Sequence, residues 1–90
     1  MAVDHDPRGH RFNLPPERGQ ARLEYRDLDA HTVEFYSTYV EPSQRGRGLA
    51  AEVVRGALDH ARAEGKRVRP TCSYVRAFLR RHPEYADLEA

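Results

Sequence analysis

Gln44-Arg45-Gly46-Arg47-Gly48-Leu49-Ala50 joins a stretch rich in β-branched and aromatic residues, Thr32 to Val40, to one with helical spacing. Glycines at such a junction let the main chain come close to a ligand, and the first N–H groups of the helix have no partner within it. The helix dipole adds partial positive charge there, and Arg45 and Arg47 add whole charges, so the corner is built to receive an anion such as a diphosphate. No Gly-Lys-Ser/Thr follows, which excludes a Walker loop, and the strand ahead alternates polar and apolar residues, which argues against a dinucleotide fingerprint. On this loop alone, a plain strand-to-helix turn with two solvated arginines remains the competing account.

Upstream, Gln20 to Arg26 alternates apolar and polar residues, the period of a sheet with one buried face, and Ala21, Leu23 and Tyr25 are expected inward. Asp27-Leu28-Asp29-Ala30 supplies a hairpin turn into Thr32–Val40, and a short strand over 11–14 ends at Pro15-Pro16. Alternation places Tyr36 and Tyr39 on opposite strand faces. Downstream, Leu49, Val53, Ala57 and Ala61 form one row and Ala50, Val54 and Leu58 the next, predicting an amphipathic helix from about 47 to 64 with Gly65 as its left-handed cap. Residues 67–72 read as a short strand in which Pro70 requires a bulge or a splay. Ser73 is the expected N-cap of a last helix that carries Val75, Phe78 and Leu79 on one face and ends before Pro83. The expected fold is α+β in the order β-β-β-α-β-α, mostly antiparallel, with residues 1–10 a flexible lead-in and 11–90 one domain.

Composition narrows the function. The 90 residues carry 15 basic and 14 acidic side chains, a near balance that argues against a general nucleic-acid footprint. Arginine supplies every basic residue except Lys66, and the bland explanation is genome composition. Cys72 is the sole cysteine, so an intrachain disulfide is impossible and a reducing, cytoplasmic setting is expected. No apolar leader or 18-residue apolar run appears, so neither secretion nor a membrane span is expected.

Arg45-x-x-Gly48-x-Ala50 resembles the Gln/Arg-x-x-Gly-x-Gly/Ala signature of the GCN5-related N-acetyltransferases. The similarity extends to the minimal members of that family through the Thr-x-Val-x-Pro segment from Thr38, Pro70-Thr71-Cys72-Ser73-Tyr74-Val75, and His82-Pro83-Glu84-Tyr85. It is strong over about two-thirds of the chain. The resemblance implies an acetyl-CoA-dependent transfer of an acetyl group to a primary amine, with no metal, by a monomer or weak dimer. It implies that Arg45, Gly46, Arg47, Gly48, Leu49 and Ala50 hold the coenzyme A diphosphate. The strand edge at Tyr39 and Val40 would pair with the pantetheine arm, between that strand and the one ending near Cys72. The acceptor, a protein lysine or a small amine, is not legible.

Two residues carry the implied chemistry. Cys72 corresponds to a cysteine beside the thioester, either an acyl acceptor or a wall of the acyl pocket, with Arg69 and Arg76 nearby in sequence; a plain buried small residue is the alternative. Tyr74 would return a proton to the leaving thiolate, though core packing is an equal alternative. Ser37 departs from the family, which commonly has histidine there, and no general base is evident; His31 is too far along the strand. Glu34 and Glu41 are strand-end carboxylates and therefore candidate bases, with solvation the expected reading for each, as it is for His5 and His10. His82 is expected to pack against or cap the last helix, with Tyr85 against it. The missing histidine keeps a non-catalytic acyl-CoA-binding module open, and beyond it a small protein-interaction domain.

Overall fold

The computed structural model describes residues 3–90. Five strands, β1 (Asp4–Asp6), β2 (Arg11–Asn13), β3 (Ala21–Asp29), β4 (Thr32–Val40) and β5 (Arg67–Pro70), form one sheet in sequential order. The first four pair antiparallel, and β5 runs parallel to β4 after crossing over through helix α1 (Leu49–Ala63). Helix α2 (Ser73–Arg81) follows, and 3-10 turns occupy Pro42–Gln44 and Pro83–Leu88. The fold is therefore the expected α+β type, with one strand more than the sequence order implies.

That strand lies in the segment read as a lead-in, of which Met1 and Ala2 fall outside the described residues. Asp6 accepts the Gly9 N–H at 3.0 Å and closes the turn that folds β1 back on β2. His5, expected in solvent, stacks on Phe12 with ring centroids 4.5 Å apart and meets the Tyr25 hydroxyl at 2.7 Å. His60 of α1 lies 4.5 Å away, centroid to centroid. Alternating polarity over so few residues cannot reveal a ring stacked against an aromatic cluster of distant sequence.

Burial holds the His5 pKa below its ordinary value, with His60 and Lys66 adding to the depression. A depressed folded-state value means that the unfolded chain takes up the proton first, so stability present above about pH 6.5 is lost as pH falls through the folded-state value. Thermal melts between pH 7.5 and 5.5 are expected to fall more for the native chain than for His5→Gln; equal slopes would show that His5 does not report this coupling.

The core lies between one sheet face and the helices. Leu23, Phe35, Val53, Val54, Leu58, Val68 and Val75 are its largest fully buried side chains, so both predicted helical rows and the Leu23 face point inward. Ala50 alone of those rows stays half-exposed, at the helix start. Gly65 closes α1 at φ 70° as expected: its N–H reaches the Arg62 carbonyl and that of Lys66 reaches Ala61, satisfying carbonyls the helix leaves open. Gly56, in mid-helix, leaves room for Val3, against whose side chain any Cβ would collide.

β4 is irregular where it matters. Tyr25 pairs with Phe35 but Glu24 pairs with Ser37, so Tyr36 is an extra residue in β4. A bulge of this kind resets the alternation. Tyr36 lies 3.9 Å under the Arg26 guanidinium and Tyr39 lies 4.6 Å under that of Arg22, so both tyrosines face the side opposite the core. Their expected placement on opposite faces fails because period-2 counting assumes an unbroken ladder.

Candidate functional site

Pairing between β4 and β5 stops at Phe35 and Pro70, while β4 continues five residues further to Val40. Proline has no N–H with which to extend the ladder, and the chain turns away at once into α2. The Phe35 carbonyl accepts both the Thr71 N–H at 3.2 Å and the Cys72 N–H at 3.1 Å, which pins the departure point. The result is the splay that Pro70 requires. On that side, residues 36–40 of β4 have no strand partner.

A cleft of about 370 Å³ occupies the opening. Thr38, Tyr39 and Val40 line it from the strand, Gln44, Arg45 and Gly46 from the turn, Gly48, Leu49 and Ala50 from the helix start, and Tyr74 from α2. Thr38 pairs with buried Leu23, whereas Tyr39 pairs with Arg22 on the other face. Residues of both faces meet the cleft, which therefore runs through the edge of the sheet.

The helix-start corner follows from local chemistry. Gly46 at φ 86° and Gly48 at φ 77° adopt the left-handed region that penalises L side chains, and a Cβ on either would project into open space. Gly48 is the N-cap of α1 and supplies no side chain to the helix, so the N–H groups of Leu49, Ala50 and Ala51 find no acceptor among the described residues. The one acidic residue of the first turn, Glu52, is bound by Arg18 through two bonds of 3.1 and 2.7 Å. The same Arg18 contact draws the Glu52 carboxyl below its usual range, and the corner stays hospitable to anions.

Gln44 staples this loop, accepting the Gln20 N–H on its Oε1 at 2.6 Å. Gly19 makes the staple fit: at φ 139° its missing Cβ would press on Leu49 and on the Gln44 amide. Nothing local in the sequence marks this role of Gly19, because its neighbours across space lie 25 and 30 positions away. Arg45 turns back toward β4, its Nε donating to the Val40 carbonyl at 3.0 Å and its guanidinium 5.8 Å from the Tyr39 ring. Arg47 is exposed and outside the cleft lining.

Cys72 is itself the N-cap of α2, displacing Ser73 from the predicted place to the first helical residue. Its Sγ lies 3.5 Å from Thr38 Oγ1, half-buried against the core and outside the cleft lining, so Thr38 stands between the thiol and the opening. Tyr74 is 38% exposed at the cleft wall rather than packed in the core. Burial raises its phenol pKa while Arg81 opposes the rise, which keeps a proton on the oxygen at neutral pH.

Neither strand-end carboxylate is simply solvated. Glu34 accepts from Thr71 Oγ1 at 2.6 Å and from Arg26 at 3.3 Å, and the Thr71 hydrogen bond pulls its pKa down. Glu41 caps the turn through Ser43, whose N–H it accepts at 2.8 Å. His31 lies in the turn before β4, and His82 stacks on Phe78 with centroids 4.1 Å apart. Ser37 stands opposite Glu24 on the uncovered face.

A splayed β4–β5 pair with an unpaired helix start at the strand end is the architecture expected from the loop motif. Residues 11–88 match the family described as GCN5-related N-acetyl-transferase. The chain belongs to that family. Protein NATD1 of Bos taurus is 31% identical over 85 residues, covering 92% of this chain and 75% of that protein. Protein NATD1 of Danio rerio is 29% identical over 91 residues, covering 97% and 83%. The solution structure of a GCN5-like protein from Staphylococcus aureus superposes with a TM-score of 0.74 over 100% of this chain and 88% of that one, at 18% identity, a likeness of fold. No helix among the described residues is long and apolar enough to cross a membrane.

Proposed function

We propose that the chain binds acetyl-CoA in the β4–β5 cleft and transfers the acetyl group to an exposed primary amine, in the cytoplasm. The observation that carries this is the helix start: three unpaired N–H groups behind a left-handed glycine, at the end of an unpaired strand edge. Family membership supports the acetyl transfer itself. The diphosphate is held by main-chain donors from Gly46 to Ala50, with Arg47 adding charge. The amide-bearing arm lies along the strand edge at Tyr39 and Val40, which has no strand partner on that side, as in strand addition. Arg45 already uses the Val40 carbonyl, so its contribution is to hold the strand end as much as to meet phosphate.

In the reaction the amine nitrogen bonds to the thioester carbonyl carbon, the carbon–sulfur bond breaks, and the coenzyme sulfur takes a proton from Tyr74, which regains one from water. The nitrogen sheds its own proton to water, since Glu34 and Glu41 are engaged elsewhere and Ser37 is not a base. If Cys72 takes part, its sulfur accepts the acetyl group first and returns to a thiol when the amine removes it. Tyr39 and Tyr74, both lining the cleft, are exposed, which favours a protein lysine or another accessible amine over a buried metabolite.

Two measurements test this. Calorimetry with coenzyme A is expected to give heat of binding; none at near-millimolar ligand excludes the coenzyme role and leaves a fold used for other contacts. Thiol release from acetyl-CoA over pooled amines is expected to exceed the solvent rate; release no faster than solvent leaves a binding module without turnover. Intact mass after acetyl-CoA exposure then separates the routes. One acetyl group on the native chain but none on Cys72→Ala marks the assisted route, and an unmodified chain with continuing release marks the direct one.

A further inference from the structure

The width of the cleft depends on where β5 leaves the sheet, and side chains hold that point in addition to the Phe35 carbonyl. From the strand side, Glu34 reaches across to Thr71 Oγ1 at 2.6 Å while its other oxygen receives Arg26 at 3.3 Å. From the helix side, Arg76 donates to the Thr71 carbonyl at 2.8 Å and reaches the Pro70 carbonyl at 3.4 Å. Thr71 is thus held by its N–H and its hydroxyl from β4 and by its carbonyl from α2. It is the first residue beyond the ladder and the one immediately before Cys72.

Nothing in core packing requires this arrangement. Thr71 is exposed and Glu34 lies on the face away from α1, so the contact buries no apolar surface. A threonine hydroxyl given to a carboxylate is a charge-assisted bond, about twice as strong as a neutral one. Its geometric effect is to fix the angle at which the chain departs from β4.

We infer that Thr71 and Glu34 form a latch that sets the opening between β4 and α2, and that Thr71 is a positioning residue for the arm of the bound thioester. The inference rests on the proposed coenzyme role, and it separates two parts of the ligand. The diphosphate corner at Gly46–Ala50 is carried by a different segment and held by Gln44 and Arg18, so it does not depend on the latch. Ligands with an arm between the strands depend on both places, and ligands without one depend on the corner alone.

The experiment compares coenzyme A with ADP, which carries a diphosphate and no pantetheine arm, on the native chain, Thr71→Val and Thr71→Ser. Thr71→Val keeps the shape and removes the hydroxyl. It is expected to weaken coenzyme A by about tenfold, the scale of one charge-assisted hydrogen bond, with ADP affinity unchanged, while Thr71→Ser binds both ligands as the native chain does. Equal loss for both ligands, or native coenzyme A affinity in Thr71→Val, overturns the latch. Hydrogen exchange without ligand gives an independent reading: faster exchange confined to the Thr71 and Cys72 amides supports it, and unchanged exchange at both overturns it. Should Thr71→Val not fold, Glu34→Gln takes its place, with a smaller loss in the same pattern. A native chain that binds neither ligand refutes the coenzyme role, while the exchange measurement still decides whether the latch exists.

Discussion

Gly48→Val is expected to weaken coenzyme A binding on the order of a hundredfold or more while the chain stays folded. Gly48 adopts φ 77°, and its missing Cβ faces open space at the cleft lining. A branched side chain there costs about 1–2 kcal/mol of backbone strain, or roughly 5–15 °C in melting temperature for a domain of this size. It also stands in front of the free N–H groups of Leu49 and Ala50. Each charge-assisted bond lost is worth about 1.5–3 kcal/mol, so losing one or two accounts for the affinity change. Gly65→Val is the control, since Gly65 has φ 70° and open space at the far end of α1. It pays the same strain and should bind normally. Calorimetry below both melting points is decisive: native affinity in Gly48→Val removes the diphosphate from this corner.

Phe35→Ala is expected to be the most damaging single change to the fold, at about 3–5 kcal/mol. Its ring is fully buried and meets Phe12 edge-on at 6.1 Å between centroids. The loss takes a large share of the roughly 5–15 kcal/mol that holds a small domain together. Chemical denaturation of Phe35→Ala and Phe35→Leu should rank alanine well below leucine. A loss under about 1 kcal/mol for alanine would mean that the ring is not the packing centre the buried set implies.

What the sequence made legible is what short-range periodicity encodes. Ala21, Leu23 and Tyr25 point inward, the two apolar rows of α1 are buried except at Ala50, and Gly65 caps the helix, because each depends on residues a few positions away. Pro70 announced the splay, since a missing donor must end a ladder wherever the strand lies. Features set by contact between distant segments were not legible. Tyr36 and Tyr39 share a face because of a mismatch with β3, and β1 exists because Asp6 closes a turn that brings His5 onto Phe12. Of the site, the glycine loop was readable from its conformational demands, and Cys72 and Tyr74 came from family resemblance. The Thr38 contact of Cys72, the Gln44 staple and the Glu34 contact of Thr71 were not legible, because each joins residues more than twenty positions apart.

The sequential order of the strands has a bearing on how the chain assembles. β1 to β4 meet partners that are next in the chain, so three turns suffice to build them, and short loops close at little entropic cost. β5 is different: it reaches β4 only after α1 has formed and lain across the sheet. The gap that would admit a coenzyme therefore borders the piece that docks last. Partial opening should begin at β5 and α2, releasing a ligand while the meander beneath stays intact.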